Sequence, residues 1–181
     1  MKKLLLLVTS FILIVILSGC EMGNTPTKKV ENFLDNYRNL STDVTTQLDD
    51  ILEDDLEMND TQRTTYKDLS KKQYEDLTYE IKDETVDGDV ATVIVEIEVY
   101  DFYKATNDAT DYYEQTPDEF TDDDGNILNN KFIDFKLDNL MDVKDRVKYT
   151  IDFTLSKVNN DWVLNEIDET TRLKIHGLYQ Y

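Results

Sequence analysis

The acidic loop from Asp122 to Asn126 has the residue types of a metal site, with Asp122, Asp124 and Asn126 as candidate ligands. Calcium in proteins is bound by several carboxylate and carbonyl oxygens, and extracellular sites are often weak. The EF-hand pattern is not met, because aligning Gly125 with the invariant glycine places Lys131 where a bidentate glutamate is required. We favour a solvated turn, with weak calcium binding as the alternative.

Catalysis would require ionisable side chains that converge in a pocket. The chain has one histidine, His176, which stands directly before Gly177. The dipole at a helix C-terminus favours histidine at such a position, so we interpret His176 as structural. The sequence contains no nucleophile elbow, phosphate loop or zinc-binding helix motif. We therefore assign no catalytic residue and no cofactor, and we favour a binding role over an enzymatic one.

Aromatic side chains form the third group with functional potential. The candidates for a ligand pocket or an interface are Tyr79, Tyr100, Phe102, Tyr103, Tyr112 and Tyr113. Tyrosine is enriched in the cores of protein interfaces. An exposed aromatic residue and a packed one look alike in a sequence, so the alternative that these residues belong to the core stays open.

The segment Leu17-Ser18-Gly19-Cys20 indicates where the protein works. Ahead of it, Lys2 and Lys3 precede an uncharged stretch that begins at Leu4, which is the plan of a secretory leader. The segment resembles a bacterial lipobox, in which the cysteine thiol receives a diacylglyceryl group before the leader is removed. The resemblance implies a leader of residues 1–19 and a protein anchored through Cys20 to the outer face of the cytoplasmic membrane.

Two other interpretations of this leader are weaker. The uncharged stretch from Leu4 to Cys20 has 17 residues, whereas a spanning helix needs about 20, so an uncleaved membrane anchor would be short. An ordinary cleaved signal peptide would not need Cys20, the only cysteine, directly after Leu-Ser-Gly. A diacylglyceryl group supplies the two acyl chains that stable anchoring requires. Lipidation would also leave no thiol for disulfides, catalysis or metal binding.

The charge of the chain argues against polyanionic partners. The full chain of 181 residues has a formal charge of −20, and loss of Lys2 and Lys3 with the leader would make it −22. Such a surface repels nucleic acid and anionic lipid, so we expect neither as a partner of the folded domain. The length fits a short tether, residues 20–26, and one domain, residues 27–181. The five residues after Cys20 reach at most about 18 Å, so the domain would lie close to the bilayer.

Local signals predict helices at both ends of the domain. Thr25 precedes Pro26 as an N-cap precedes proline at the first helical position. Ser41 can cap a second helix, Asn59 can open a third with a capping box, and Asp168 can cap a closing helix. Two further helices are predicted around residues 105–113 and 128–141, where the second is apolar over a broad face.

Alternating apolar residues predict strands at 77–82, 90–103 and 147–157, with Asn159-Asn160 turning the chain into a fourth. In the first hairpin, a two-residue Asp-Gly turn would place Ile81 opposite Ile94, on the wrong face of the sheet. A loop of three residues, 86–88, places Ile81 opposite Val93 instead. We therefore predict the longer loop.

This order of elements predicts an α+β domain in which N-terminal helices pack on one face of a curved antiparallel sheet of about four strands. The carriers of a family resemblance are the lipobox, the Val30-Phe33-Leu34-Tyr37 stripe after Pro26, the long strands and the Asn-Asn-Asp-Trp-Val-Leu segment at 159–164. With these features the chain resembles the NTF2-like or cystatin-like domains of small lipoproteins from Gram-positive bacteria. The resemblance implies a pocket between sheet and helices, where NTF2-like enzymes place acids, tyrosines and histidines. The acidic segment 117–126 is not part of that fold.

We therefore expect a lipid-anchored extracytoplasmic protein that binds an envelope protein, a peptide or a small ligand. An NTF2-like pocket enzyme and a weak calcium-binding surface protein are the alternatives.

Overall fold

The computed structural model describes residues 23–53 and 57–181, so the predicted leader and Cys20 lie outside the described residues. In this part of the chain six α-helices and four strands follow one another in the predicted order. They are α1 (Pro26–Arg38), α2 (Thr42–Glu53), α3 (Asp60–Glu75), β1 (Thr78–Asp87), β2 (Val90–Tyr100), α4 (Phe102–Gln115), α5 (Asn129–Asp142), β3 (Arg146–Val158), β4 (Asp161–Leu164) and α6 (Glu169–His176). A short 3₁₀ helix, Pro117–Phe120, connects α4 towards α5.

The predicted helix caps are confirmed. The Thr25 side chain accepts a hydrogen bond from the Lys28 N–H at the start of α1. Asn59 and Gln62 form both hydrogen bonds of a capping box at the start of α3. Asp168 caps α6, which ends at Gly177 in the left-handed conformation that suits glycine. Short polar side chains therefore determine where these helices begin.

The four strands form one antiparallel sheet in the order β1-β2-β3-β4. In β2 and β3, alternate side chains are buried on the inner face, and the other set is partly or fully exposed. The buried residues of these two strands are Ala91, Val93, Val95, Ile97, Val99, Tyr149, Ile151, Phe153 and Leu155. The outer face is polar and carries ion pairs from Lys82 and Lys148 to Glu96. The sheet is therefore covered by helices on one face, as predicted.

The predicted loop of the first hairpin is wrong. Asp87 pairs with Val90, so the turn has two residues, Gly88 and Asp89, and Gly88 has a φ of +60°. A two-residue turn with glycine first and a positive φ there matches the type II′ turn of tight hairpins. Ile81 pairs with Val95 because a β-bulge at Lys82 absorbs one residue. The bulge, rather than a longer loop, therefore keeps Ile81 on the inner face.

The predicted continuation of the second strand to residue 103 is also wrong. The strand β2 ends at Tyr100, and α4 begins at Phe102. The Asp101 carboxylate accepts a hydrogen bond of 2.9 Å from the Lys104 N–H, so Asp101 is the N-cap of α4. Phe102 and Tyr103 are therefore helical, and the blurred alternation reflects the end of the strand rather than a bend in it.

Two hydrophobic cores share the helix α3. The main core joins α1, α2, α3 and α6 to the inner face of the sheet, and Tyr74 is the buried aromatic residue of α3 in it. The second core joins α3, α4 and α5 through Leu69, Phe102, Ala105, Leu137 and Leu140. The α4–α5 pair therefore forms a separate layer beside the sheet, with a smaller core of its own.

Candidate functional site

An apolar cleft lies where α3, α4 and α5 meet, next to the second core. Its volume is about 280 Å³, near the lower end of ligand-binding cavities. The side chains that line it are Glu57, Met58, Tyr66, Thr106, Ile133, Lys136, Leu137, Leu140 and Leu178. Apolar side chains predominate, and Lys136 adds one positive charge. A site of this type suits a small ligand that is largely apolar.

The cleft exists because α5 has more apolar surface than its neighbours cover. Leu137 and Leu140 are buried in the second core, while Ile133 on the same helix is only partly buried. On α4, the side chain that lines the cleft is the short Thr106, which does not fill the space beside α5. Interiors of proteins are normally packed without such gaps.

A second depression of about 460 Å³ continues the cleft along α5. It shares Glu57, Ile133 and Lys136 with the first and adds the polar side chains Asn129 and Asn130. The Lys136 ammonium lies 5.6 Å from the centre of the Phe132 ring, which borders this depression. The two depressions together make a groove with an apolar inner end and a more polar outer end.

The predicted aromatic residues do not meet in one pocket. Tyr79 lies between β1 and α1, where its hydroxyl donates to Asp35 at 3.1 Å. Tyr100 ends β2, its hydroxyl donates to Asp76 at 2.8 Å, and this hydrogen bond raises the pKa of the Tyr100 hydroxyl. Phe102 stacks on Tyr100 and is buried in the second core.

The other three predicted aromatic residues belong to α4. Tyr103 packs edge-on against Tyr181, with ring centres 6.0 Å apart. Tyr112 and Tyr113 lie at the far end of the helix and contact Phe120, whose ring is buried. The six residues therefore occupy four separate places in the fold, and none of them lines the apolar cleft.

An aromatic cluster that the sequence did not predict joins α4, the 3₁₀ helix and α5. It consists of Tyr112, Tyr113, Phe120, Phe132 and Phe135, with ring centres 4.6 to 6.4 Å apart. Aromatic pairs at these distances add stability beyond the area that they bury. The cluster holds the ends of the acidic loop on the α4–α5 pair.

The acidic loop satisfies its own central carboxylate. Asp122 accepts hydrogen bonds from the Asp124 and Asn126 N–H groups and from the Asn126 side-chain amide. These bonds, with the Asn126 side chain as the largest contribution, lower the pKa of Asp122. Of the predicted metal ligands, Asp122 and Asn126 therefore contact each other. Within residues 23–53 and 57–181, no group of three or more acidic, histidine or cysteine side chains has the arrangement of a metal site.

His176 is packed against α3 rather than in the apolar cleft. Its Nδ1 lies 3.1 Å from the Tyr74 hydroxyl, and the two rings meet edge-on. Burial lowers the pKa of His176 and raises the pKa of Tyr74. The histidine is therefore neutral near pH 7 and takes part in the packing of α6 on α3.

The residues of the apolar cleft were missed by reasoning from the sequence. One signal pointed towards them, because the broad apolar face predicted for residues 128–141 exceeds what one neighbouring helix can cover. Nothing in the sequence of α4 indicated that Thr106 would lie across from that face.

Over residues 23–53 and 57–181, the helices are too short or too polar to cross a bilayer. Comparisons of the chain with protein-family models, curated proteins and solved structures found no match.

Proposed function

We propose that this protein is a lipid-anchored extracytoplasmic binding module whose ligand site is the apolar cleft between α3, α4 and α5. The observation that carries the proposal is the cleft itself, a concave and mostly apolar site of about 280 Å³. Its ligand is a small molecule with an apolar part of about ring size, which matches the volume and the apolar lining of the cleft. Lys136 provides one charged contact at the junction with the polar depression.

The anchor is supported by the sequence at Leu17-Ser18-Gly19-Cys20 and by its distance from the fold. Thr25, the N-cap of α1, follows Cys20 by five residues. A thioether-linked diacylglyceryl group on Cys20 would therefore hold the domain at the outer face of the cytoplasmic membrane.

Within the α+β class, we propose an NTF2-like or cystatin-like arrangement. Helices on one face of a four-stranded antiparallel sheet support it. The cleft, however, lies among α3, α4 and α5, to the side of the sheet. The α4–α5 pair with its acidic loop, placed between β2 and β3, thus supplies the proposed site.

The lining of the cleft favours binding over catalysis. Only three of its nine lining side chains, Glu57, Tyr66 and Lys136, carry an ionisable group. Catalysis by acid and base needs two such groups within hydrogen-bond reach of one reacting atom. The remaining side chains, Leu137 and Leu140 among them, offer van der Waals contact and exclusion of water.

Two variants of α4 test the site. Thr106→Phe places a ring in the cleft, whereas Thr110→Phe places the same ring one turn further along, at a residue that does not line it. The measurement is titration with indole, followed by NMR of the Ile133 and Leu137 methyl groups. We expect saturable shifts in the wild type and in Thr110→Phe, and loss of these shifts in Thr106→Phe. Equal binding by both variants, or shifts scattered over the surface, would contradict the proposed site.

The anchor is tested separately. Mass spectrometry of protein extracted from membranes should show a chain that begins at Cys20 and carries a diacylglyceryl group. A Cys20→Ala control should remain unlipidated. A bare thiol at Cys20, or an intact leader, would refute the anchor while leaving the cleft untouched.

A further inference from the structure

The chain enters the domain at one end of the sheet and is fixed there. The Asn24 side chain donates a hydrogen bond of 3.0 Å to the Asn160 carbonyl in the β3–β4 turn. Its oxygen accepts a hydrogen bond of 3.0 Å from the Trp162 N–H in β4. Asn24 thus binds one backbone group in that turn and one in the strand that follows it. The path from Cys20 into the fold is therefore tied to the edge of the sheet before α1 begins.

Both hairpin turns lie at this end of the sheet. The Lys157 N–H donates to the Asp89 carbonyl at 2.8 Å, which places the β1–β2 turn beside the end of β3. Around the two turns are four exposed valines, and we call this surface the hairpin end. They are Val86, Val90, Val158 and Val163, with 49%, 53%, 50% and 47% of their surface exposed.

The strand register brings two of these valines into one row. Val90 pairs with Ser156, and Ser156 pairs with Val163, so both valines project from the outer face with one residue between them. Val158 lies on the same face, two residues beyond Ser156 towards the turn. The outer face of the sheet, polar over most of its area, is thus apolar at the hairpin end.

The length of chain between Asn24 and Cys20 limits how far this end can be from an anchored lipid. Four residues span at most about 14 Å. The other end of the sheet, at Tyr100, is ten residues along β2 from Val90, or about 33 Å away. When Cys20 is anchored in the bilayer, the hairpin end of the domain therefore faces the bilayer, and Tyr100 lies far from the bilayer.

We infer that the hairpin end is a membrane-contact surface, on which the outer-face valines Val90, Val158 and Val163 rest at the boundary between lipid headgroups and acyl chains. Val86 pairs with the inner-face residue Ala91 and lies on the other side of the sheet. This inference rests on the proposed lipid anchor. Asp87, Asp89 and Asp161 border the valines, so the surface has little affinity for anionic lipid by itself. The tether keeps the domain at a high local concentration beside the bilayer. The valines, together with the two hydrogen bonds of Asn24, determine the orientation of the domain on it.

This orientation displays the apolar cleft away from the bilayer. Leu178, which lines the cleft, follows Gly177, and the Gly177 carbonyl accepts a hydrogen bond of 2.7 Å from the Tyr103 N–H. Tyr103 lies in the first turn of α4, directly after the Tyr100 end of β2. The cleft is thus near the membrane-distal end, where a soluble ligand has free access to it.

The test uses the full lipidated protein in phosphatidylcholine vesicles. Because Cys20 is the only cysteine and is blocked by lipid, a single introduced cysteine can be labelled with a fluorophore. Val163→Cys and Val90→Cys report on the hairpin end, and Met141→Cys, 45% exposed near the distal end, is the control. Quenching by lipids with nitroxide-labelled headgroups measures the distance from the membrane.

We expect quenching at Val163→Cys and Val90→Cys to be several-fold stronger than at Met141→Cys. Adding Asn24→Ala should reduce that difference while vesicle binding is unchanged. Equal quenching at all three positions, or an unchanged difference after Asn24→Ala, would overturn the inference. Loss of vesicle binding by every labelled protein would instead refute the lipid anchor, so the two failures are distinguishable.

Discussion

The buried side chain of Gln73 connects three elements, and its replacement gives the sharpest stability prediction. Gln73 is 1% exposed. Its amide nitrogen donates to the Tyr100 and His176 carbonyls, both at 3.0 Å, and its oxygen accepts from the Tyr100 N–H at 2.8 Å. It thereby joins α3 to the end of β2 and to the end of α6. Gln73→Met keeps the shape of the side chain and removes all three hydrogen bonds.

The loss of stability in Gln73→Met follows from the buried main-chain groups that lose their hydrogen-bond partner. A buried main-chain group that loses its partner costs about 1–3 kcal/mol, and a carbonyl costs less than an N–H when its second lone pair is used. For one N–H and two carbonyls we expect a loss of about 3–5 kcal/mol in the free energy of unfolding. Since domains are stable by only about 5–15 kcal/mol, this is a large fraction of the total.

Urea unfolding of a lipid-free domain of residues 21–181, followed by circular dichroism, measures this loss. The matched control is Gln47→Met on the exposed side of α2, where we expect a change within about 0.5 kcal/mol. If Gln73→Met were no less stable than Gln47→Met, the three hydrogen bonds would not hold β2 and α6 to α3.

Three further predictions concern the same domain. Burial lowers the pKa of His176, so the unfolded chain takes up a proton there first; stability should fall as the pH drops below about 6.5, and His176→Gln should flatten that melting-temperature profile. In Gly177→Ala the new methyl group would overlap the Tyr100 carbonyl, so the urea midpoint should fall far more than in Gly125→Ala, which has the same left-handed strain and open space. Deleting Lys82 removes the bulge and keeps Ile81 opposite Val95, whereas deleting Glu80 turns either Tyr79 or Ile81 to the outer face; the second deletion should lower the urea midpoint more, and equal damage would contradict the bulge.

The order of elements was predictable because local signals determine it. Side chains such as Thr25, Asn59 and Asp168 bind backbone N–H groups within three residues, so a short stretch of sequence contains both partners. The alternation in β3 likewise reflects one buried and one solvated face. These features need no knowledge of distant contacts.

The first hairpin shows where such reasoning ends. In a regular hairpin a two-residue turn would put Ile81 on the outer face, and the bulge at Lys82 returns it to the inner face. A bulge has no local sequence signature of its own here, since Lys82 is an ordinary exposed strand residue. Its position is decided by Val95 and Ile94 on the neighbouring strand.

The candidate site was less predictable than the fold. The predicted aromatic residues share a residue type, but Tyr79 and Tyr100 are separated by the packing of α1 and α3 on different parts of the sheet. The cleft depends on Thr106 facing Ile133 across two helices, a long-range relation that neither helix encodes alone. Asn24, likewise, gives no sign in the sequence of its partners more than 130 residues away.

The division into two cores affects how the molecule can open. Because the core between α3, α4 and α5 is much smaller than the core under the sheet, we expect the α4–α5 layer to open at a lower free-energy cost than the sheet. The apolar cleft lies between α3 and the α4–α5 layer. A ligand bound there would contact both α5 and α3 and would lower the population of the opened form. Occupancy of the cleft would therefore reduce the mobility of the α4–α5 layer.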